Sequence, residues 1–201
     1  MIVCCPSQAR YGLPERMAAS AVDVRRLDEM LTTASGRGCN TGRVLPDPAV
    51  QLRLAIPEDD AFIVEMARHA SVIEDWPLPD AESEDVHSLL PAAGEVSIVA
   101  VKAGGRQVGA VWTLHNEPPL RVGSAGVPLP ELCIAVVPDM RGSGVGSALL
   151  DALFVQCAGT QTALCLNVHV RNPARKLYQR KGFEEIGQGR GPLGLAMQKE
   201  L

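Results

Sequence analysis

One stretch constrains this chain more than any other. An apolar run, Glu131-Leu-Cys-Ile-Ala-Val-Val137, is followed by Pro138, then by Arg141-Gly142-Ser143-Gly144-Val145-Gly146, then by a helical pattern ending at Cys157. The first run is apolar at successive positions, as in a central strand covered on both faces. Over Ser143–Cys157, the residues Val145, Leu149, Leu150, Leu153, Phe154 and Cys157 recur at intervals of three and four, which predicts a helix with a wide apolar face. Strand, glycine turn and helix in that order place a helix N-terminus at the end of the strand. Unpaired N–H groups there carry a partial positive charge. Glycines remove the Cβ atoms that would hold a ligand away, so phosphate oxygens can reach the main chain. Arg141 adds a permanent charge at the rim. Residues 141–146 therefore read as a phosphate cradle.

The flanking sequence builds a domain around that unit. Gln51–Ile56 alternates like a strand, and Pro57 with Glu58, Asp59 and Asp60 opens a helix whose Phe62, Ile63, Met66 and Ala70 have core spacing. A second short helix is predicted over Ala81–Leu90. Glu95–Val101 and Gln107–Leu114 form a hairpin around Gly104-Gly105. A loop rich in Pro and Gly follows, His115–Pro130. Thr162–Val170 is a strand; Asn172-Pro173 starts a short helix, Asn as N-cap and Pro at N1, which Gly182 closes. Phe183–Ile186 and Leu193–Leu201 complete the order β-α-α-β-β-β-α-β-α-β-β. Residues 1–49 read as a mostly disordered extension and residues 50–201 as one α/β (α+β) domain.

The loop narrows the phosphate ligand. It lacks the Lys of a Walker loop, and its third glycine, Gly146, falls one place early for a dinucleotide fingerprint. The spacing present is R-x-x-G-x-G, from Arg141, Gly144 and Gly146. Downstream stands N-x-A-x-x-L-Y-x-x-x-G-F: Asn172, Ala174, Leu177, Tyr178, Gly182 and Phe183. Together with the element order over about residues 51–200, these motifs resemble the GCN5-related N-acetyltransferase (GNAT) family. The resemblance implies a mixed central sheet flanked by helices, in which the parallel strands Glu131–Val137 and Thr162–Val170 splay apart. It implies acetyl-CoA as acyl donor, with its pantetheine arm in the gap against Val136, Val137 and Asn172. The pyrophosphate would lie on Arg141, Gly142, Ser143, Gly144, Val145 and Gly146. Tyr178 occupies the position of a general acid.

Acyl transfer from a thioester to an amine needs a neutral amine, a polarised carbonyl and a proton for the leaving thiolate. Glu131, opening the central strand, is the expected base, directly or through water. Backbone N–H groups of the splayed strand are the expected oxyanion donors. Six acids without a Lys or Arg over residues 74–85 (Glu74, Asp75, Asp80, Glu82, Glu84, Asp85) would suit a cationic amine acceptor.

Composition narrows the remaining classes. A net charge of −4 and only two Trp, two Tyr and three Phe argue against nucleic acid as partner, and no apolar run approaches membrane-spanning length. Six cysteines without a C-x-x-C pair give no metal site and fit reduced thiols in the cytoplasm. The chain is thus expected to be a cytoplasmic acetyl-CoA-dependent N-acetyltransferase, with a homodimer as an open option. The alternatives are a non-catalytic acyl-CoA-binding module on the same fold and an ATP-binding protein.

Overall fold

The computed structural model describes residues 50–72 and 76–201; the extension expected over residues 1–49 lies outside them. Seven strands form one sheet: β1 (Val50–Leu54), β2 (Ser97–Lys102), β3 (Gln107–Leu114), β4 (Glu131–Val136), β5 (Ala163–His169), β6 (Glu184–Gln188) and β7 (Gly194–Glu200). Their spatial order is β1-β2-β3-β4-β5-β7-β6. All neighbours are antiparallel except β4 and β5, which run parallel. That parallel pair has a single rung, Glu131↔Cys165, beyond which the strands diverge. The expected fold class, a mixed sheet with a splayed parallel pair, is what the chain adopts.

Four helices cover the sheet: α1 (Asp60–Ala70), α2 (Glu84–His87), α3 (Val145–Cys157) and α4 (Arg175–Arg180). Trp112 on β3 donates its indole N–H to the Leu89 carbonyl at 2.6 Å, just past α2. Cross-strand partners share a face, so Trp112, Leu114, Cys133 and Glu131 all face α1 and α2. The other face meets α3. A Cβ on Gly109 would lie 3.2 Å from Leu149 and 3.0 Å from the Ala135 carbonyl, so β3 and α3 approach closely there. Ile63, Met66, Val111, Trp112, Leu149, Leu153, Leu164 and Leu166 lie in one continuous core.

Several elements differ from those expected. α2 is a single turn, Glu84–His87, rather than a helix over Ala81–Leu90. Asp59 anchors the start of α1: Arg53 donates to its carboxylate at 2.5 and 2.8 Å, and the Ile56 N–H does so at 2.8 Å. The Gln107 amide adds a bond from β3 at 2.5 Å. α3 begins at Val145, two residues later than expected, since Gly142 (φ +75°) and Gly144 (φ +89°) hold left-handed turns that cannot belong to the helix. At α4, a tight turn precedes the helix. Asn172 is not its N-cap, which is Ala174, but closes that preceding turn, its side-chain oxygen accepting the Ala174 N–H at 2.9 Å; Gly182 at φ +84° ends the helix as expected.

Candidate active site

The glycine loop sits at the mouth of the β4–β5 fork. The N-cap of α3 is Gly144, so no side chain satisfies the first N–H groups of that helix, and no acid lies in its first turn. Its positive end is left for an anion. A Cβ at Gly142 would meet nothing within 4 Å, so the loop's outer side is open. Ser143 turns its hydroxyl back to the Met140 carbonyl at 2.5 Å and shapes the loop. Val145 is fully buried and roots the loop in the core. Gly146 lies under Leu177 and Val136, whose carbons would stand 3.4 and 3.7 Å from a Cβ there. Arg141, exposed at the rim, donates to the Val136 carbonyl at 3.3 Å.

Main-chain parity decides which part of β4 faces the gap. Val137 donates its N–H to Val108 at 3.0 Å, and its carbonyl accepts from Met140 at 3.0 Å. Alternate residues of an antiparallel pair bond to the same neighbour, so Val137, Ala135 and Cys133 bond towards β3. Val136, Ile134 and Leu132 turn their amides towards β5. The expectation for Val136 therefore suits the gap, whereas the amide of Val137 is committed to β3. Ile134 was not among the expected contacts. Its amide faces the gap above the single rung, where β5 has moved away. Alternation along the strand was the available signal, but sequence does not say which alternate set meets β3.

Asn172 sits at the gap's far wall. It is 2% exposed, and while its oxygen caps the turn, its amide nitrogen is buried with no hydrogen-bond partner. An orphaned buried donor costs roughly 1–3 kcal/mol. Together with the open, uncapped loop, it makes the cleft fit a ligand that carries a diphosphate and an amide-containing arm.

The two expected catalytic side chains are not brought together. Tyr178 is fully buried and stands edge-on to Phe183 at 5.9 Å, which in turn meets Phe154 of α3 at 5.9 Å. It thus belongs to the α3 face of the sheet. Glu131 is on the opposite face and 2% exposed. Arg190, from the β6–β7 turn, grips both its oxygens, one at 2.6 Å and the other closer still. The Leu120 N–H and the Asn116 amide each donate at 3.2 Å. Four donors fill the roughly four acceptor positions of a carboxylate. For Glu131 to take a proton from substrate, directly or through water, one of these donors has to give way. Arg190 lies 59 residues away in sequence, and no local pattern marked it.

Other polar groups are accounted for locally. His169 accepts the Arg171 N–H on Nδ1 at 3.1 Å. Burial lowers the pKa of His69, opposed by Glu65 and reinforced by the nearby Arg141. Arg175 pairs with Glu185 at 2.5 Å and Lys181 with Asp151 at 2.6 Å. Cys133, Cys157 and Cys165 are buried, and burial pushes the Cys157 thiol up to about 12, so it is no nucleophile at neutral pH. Of the acidic stretch, Asp80 and Glu82 precede α2 and Glu84 and Asp85 begin it, while Glu74 and Asp75 lie outside the described residues. Among the described residues, no three His, Cys, Asp or Glu side chains group as metal ligands, and no helix is long and apolar enough to cross a membrane.

Comparison with known proteins agrees with this geometry. A family model described as an acetyltransferase (GNAT) domain matches residues 94–185, which span the β2–β3 hairpin, the fork, the glycine loop and α4. No curated protein matches the sequence. Among solved structures, a GCN5-related N-acetyltransferase from Kribbella flavida is 27% identical, with a TM-score of 0.57 over 76% of this chain and 98% of its own. A spermidine N-acetyltransferase from Vibrio cholerae is 22% identical (TM-score 0.52; 77% and 95% covered). An acetyltransferase from Salmonella typhimurium, solved with its cofactor acetyl-CoA, is 21% identical (TM-score 0.56; 76% and 94% covered). The last two speak for the fold alone. A family model for an acetyltransferase (GNAT) domain thus lies across the fork and the glycine loop, and the sheet opened between β4 and β5 has the fold of GCN5-related N-acetyltransferases.

Proposed function

We propose that this N-acetyltransferase moves an acetyl group from acetyl-CoA to a primary amine, by direct attack while donor and acceptor are both bound. The observation that carries the reading is the fork: one rung, then a gap lined by the outward amides of Ile134 and Val136, leading to an uncapped helix N-terminus. In this reading the amides at the start of α3 hold the diphosphate, with Arg141 adding charge at the rim. The Val136 main chain and the Asn172 amide align the pantetheine arm. When bound, acetyl-CoA supplies a thioester carbonyl. The Ile134 N–H polarises its oxygen as negative charge develops there, and Tyr178 gives its phenolic proton to the departing thiolate. No covalent acyl-protein step is needed.

Glu131 has a different part in this reading. Engaged by Arg190, Leu120 and Asn116, it shapes the acceptor side, and the proton of the amine leaves to water. The acids around α2 favour a cationic acceptor, consistent with a fold shared with a spermidine N-acetyltransferase. The test is free-thiol release from acetyl-CoA across a panel of polyamines, amino acids and lysine peptides. Release with at least one primary amine is expected. Thermal stabilisation by coenzyme A with no release on any amine would leave a binding module instead.

A further inference from the structure

The geometry points to a clamp: we infer that the Glu131–Arg190 ion pair sets the opening of the β4–β5 fork, and so positions the acyl donor. This inference rests on the acetyl-transfer reading above, but concerns residues outside the gap itself. The sheet consists of two halves, β1–β4 and β5–β7–β6, joined by the single rung Glu131↔Cys165. One rung fixes a contact point, so the angle between the halves is set by side chains that cross the junction. On the α1/α2 face these are a small apolar cluster of Leu129 with Ala163 and Cys165 and a set of polar ties. Arg190, from the second half, holds the Glu131 carboxylate of the first, and also donates to the Pro118 carbonyl at 2.9 Å. Arg121, from the β3–β4 loop, donates to the Ile186 carbonyl of β6 at 2.7 Å.

The Arg190 end of the clamp is itself rigidly seated. Its N–H donates to the Asn167 side chain on β5 at 2.9 Å. A Cβ on Gly189 would fall 2.0 Å from that same Asn167 oxygen, and one on Gly194 would fall 1.8 Å from the Arg190 carbonyl. The turn therefore has no room to shift. A bidentate guanidinium–carboxylate pair fixes both distance and angle, unlike a point charge. The pair is also enclosed, with side chains only 3% and 16% exposed. Buried pairs of this kind add little net stability over apolar replacements, so geometry is the property this one supplies. Arg190 and Glu131 are positioning residues, acting through the separation of the strands that receive the donor.

The test uses the full chain and replaces both charges together, Glu131→Gln with Arg190→Met, so that neither is stranded. Coenzyme A affinity is read by calorimetry, and kcat and KM with spermidine as the probe amine. The expected result is a cooperatively folded variant with weakened coenzyme A binding and kcat lowered by about 100-fold, the cost of misplacing reacting groups by on the order of 1 Å. Arg190→Lys, which keeps the charge and loses the fork, should fall between the two. A folded double variant with affinity and kcat within about twofold of the parent overturns the clamp. If the double variant does not fold, Arg190→Lys decides by the same measures, and parental values in it overturn the clamp. Failure of the parent protein to bind coenzyme A would instead overturn the acetyl-transfer reading, and the clamp with it.

Discussion

Gly189→Ala is a small change at the most crowded backbone position of the site. The added Cβ would lie 2.0 Å from the Asn167 side-chain oxygen and 2.9 Å from the Leu195 backbone. Neither neighbour is the end of a flexible side chain: Asn167 is 1% exposed, and Leu195 is in β7. Three costs follow. Overpacking in a tight site costs about 1–3 kcal/mol. Loss of the bond from the Arg190 N–H to Asn167 costs about 1 kcal/mol, and a buried amide oxygen left without its donor costs about 1 kcal/mol more. The sum is about 3–5 kcal/mol, which in a domain of this size lowers Tm by roughly 10 °C. Thermal melts followed by circular dichroism would measure it. A double-mutant cycle with Asn167→Ala isolates the cause: removing the oxygen that the new methyl strikes should recover part of the loss, giving a coupling of about 1 kcal/mol or more. A Gly189→Ala protein melting within about 1 °C of the parent would refute the close packing, and with it the rigid seat of Arg190.

Asn172→Asp keeps an oxygen to accept the Ala174 N–H and replaces the orphaned amide donor by a buried carboxylate oxygen, so Tm should fall with the cost of burying that charge and coenzyme A affinity should fall by about tenfold or more; unchanged affinity in a titration would assign the residue to the turn alone. Tyr178→Phe should lower kcat by about 100-fold with KM for acetyl-CoA nearly constant if the phenol gives up a proton, and an unchanged rate would leave the ring as packing against Phe183. The Arg53 guanidinium, with help from the Ile56 N–H and Gln107 and against the effect of burial, holds the Asp59 carboxyl below its ordinary value. A depressed folded-state pKa stabilises the fold fully above the unfolded value of about 3.9 and loses that contribution as pH falls through the folded value. Asp59→Asn should therefore cost about 2 kcal/mol at pH 7, discounted for a half-exposed Arg53, and the gap to the parent should narrow in melts as pH falls through the folded-state value.

Residues close in sequence carried most of the fold in readable form. Alternation marked β1 and β5, and the Gly104-Gly105 turn marked the β2–β3 hairpin. The strand–glycine–helix order over 131–157 marked the cradle, and Asn172 and Gly182 marked both ends of the α4 region. Each signal depends on neighbours within a turn or a few strand positions, where backbone geometry is set by the residue itself. The positive φ values at Gly142 and Gly144 are the same physics seen in three dimensions.

What escaped that reading depends on distant partners. Glu131 looks like an available strand-end carboxylate until Arg190 arrives from 59 residues downstream and Leu120 and Asn116 close over it. Val136 and Val137 are chemically alike, and their difference comes from the register with β3, which commits one amide and leaves the other facing the gap. Whether a charge is free or engaged, and which way an amide points, are properties of pairs; only the folded chain brings those pairs within bonding distance.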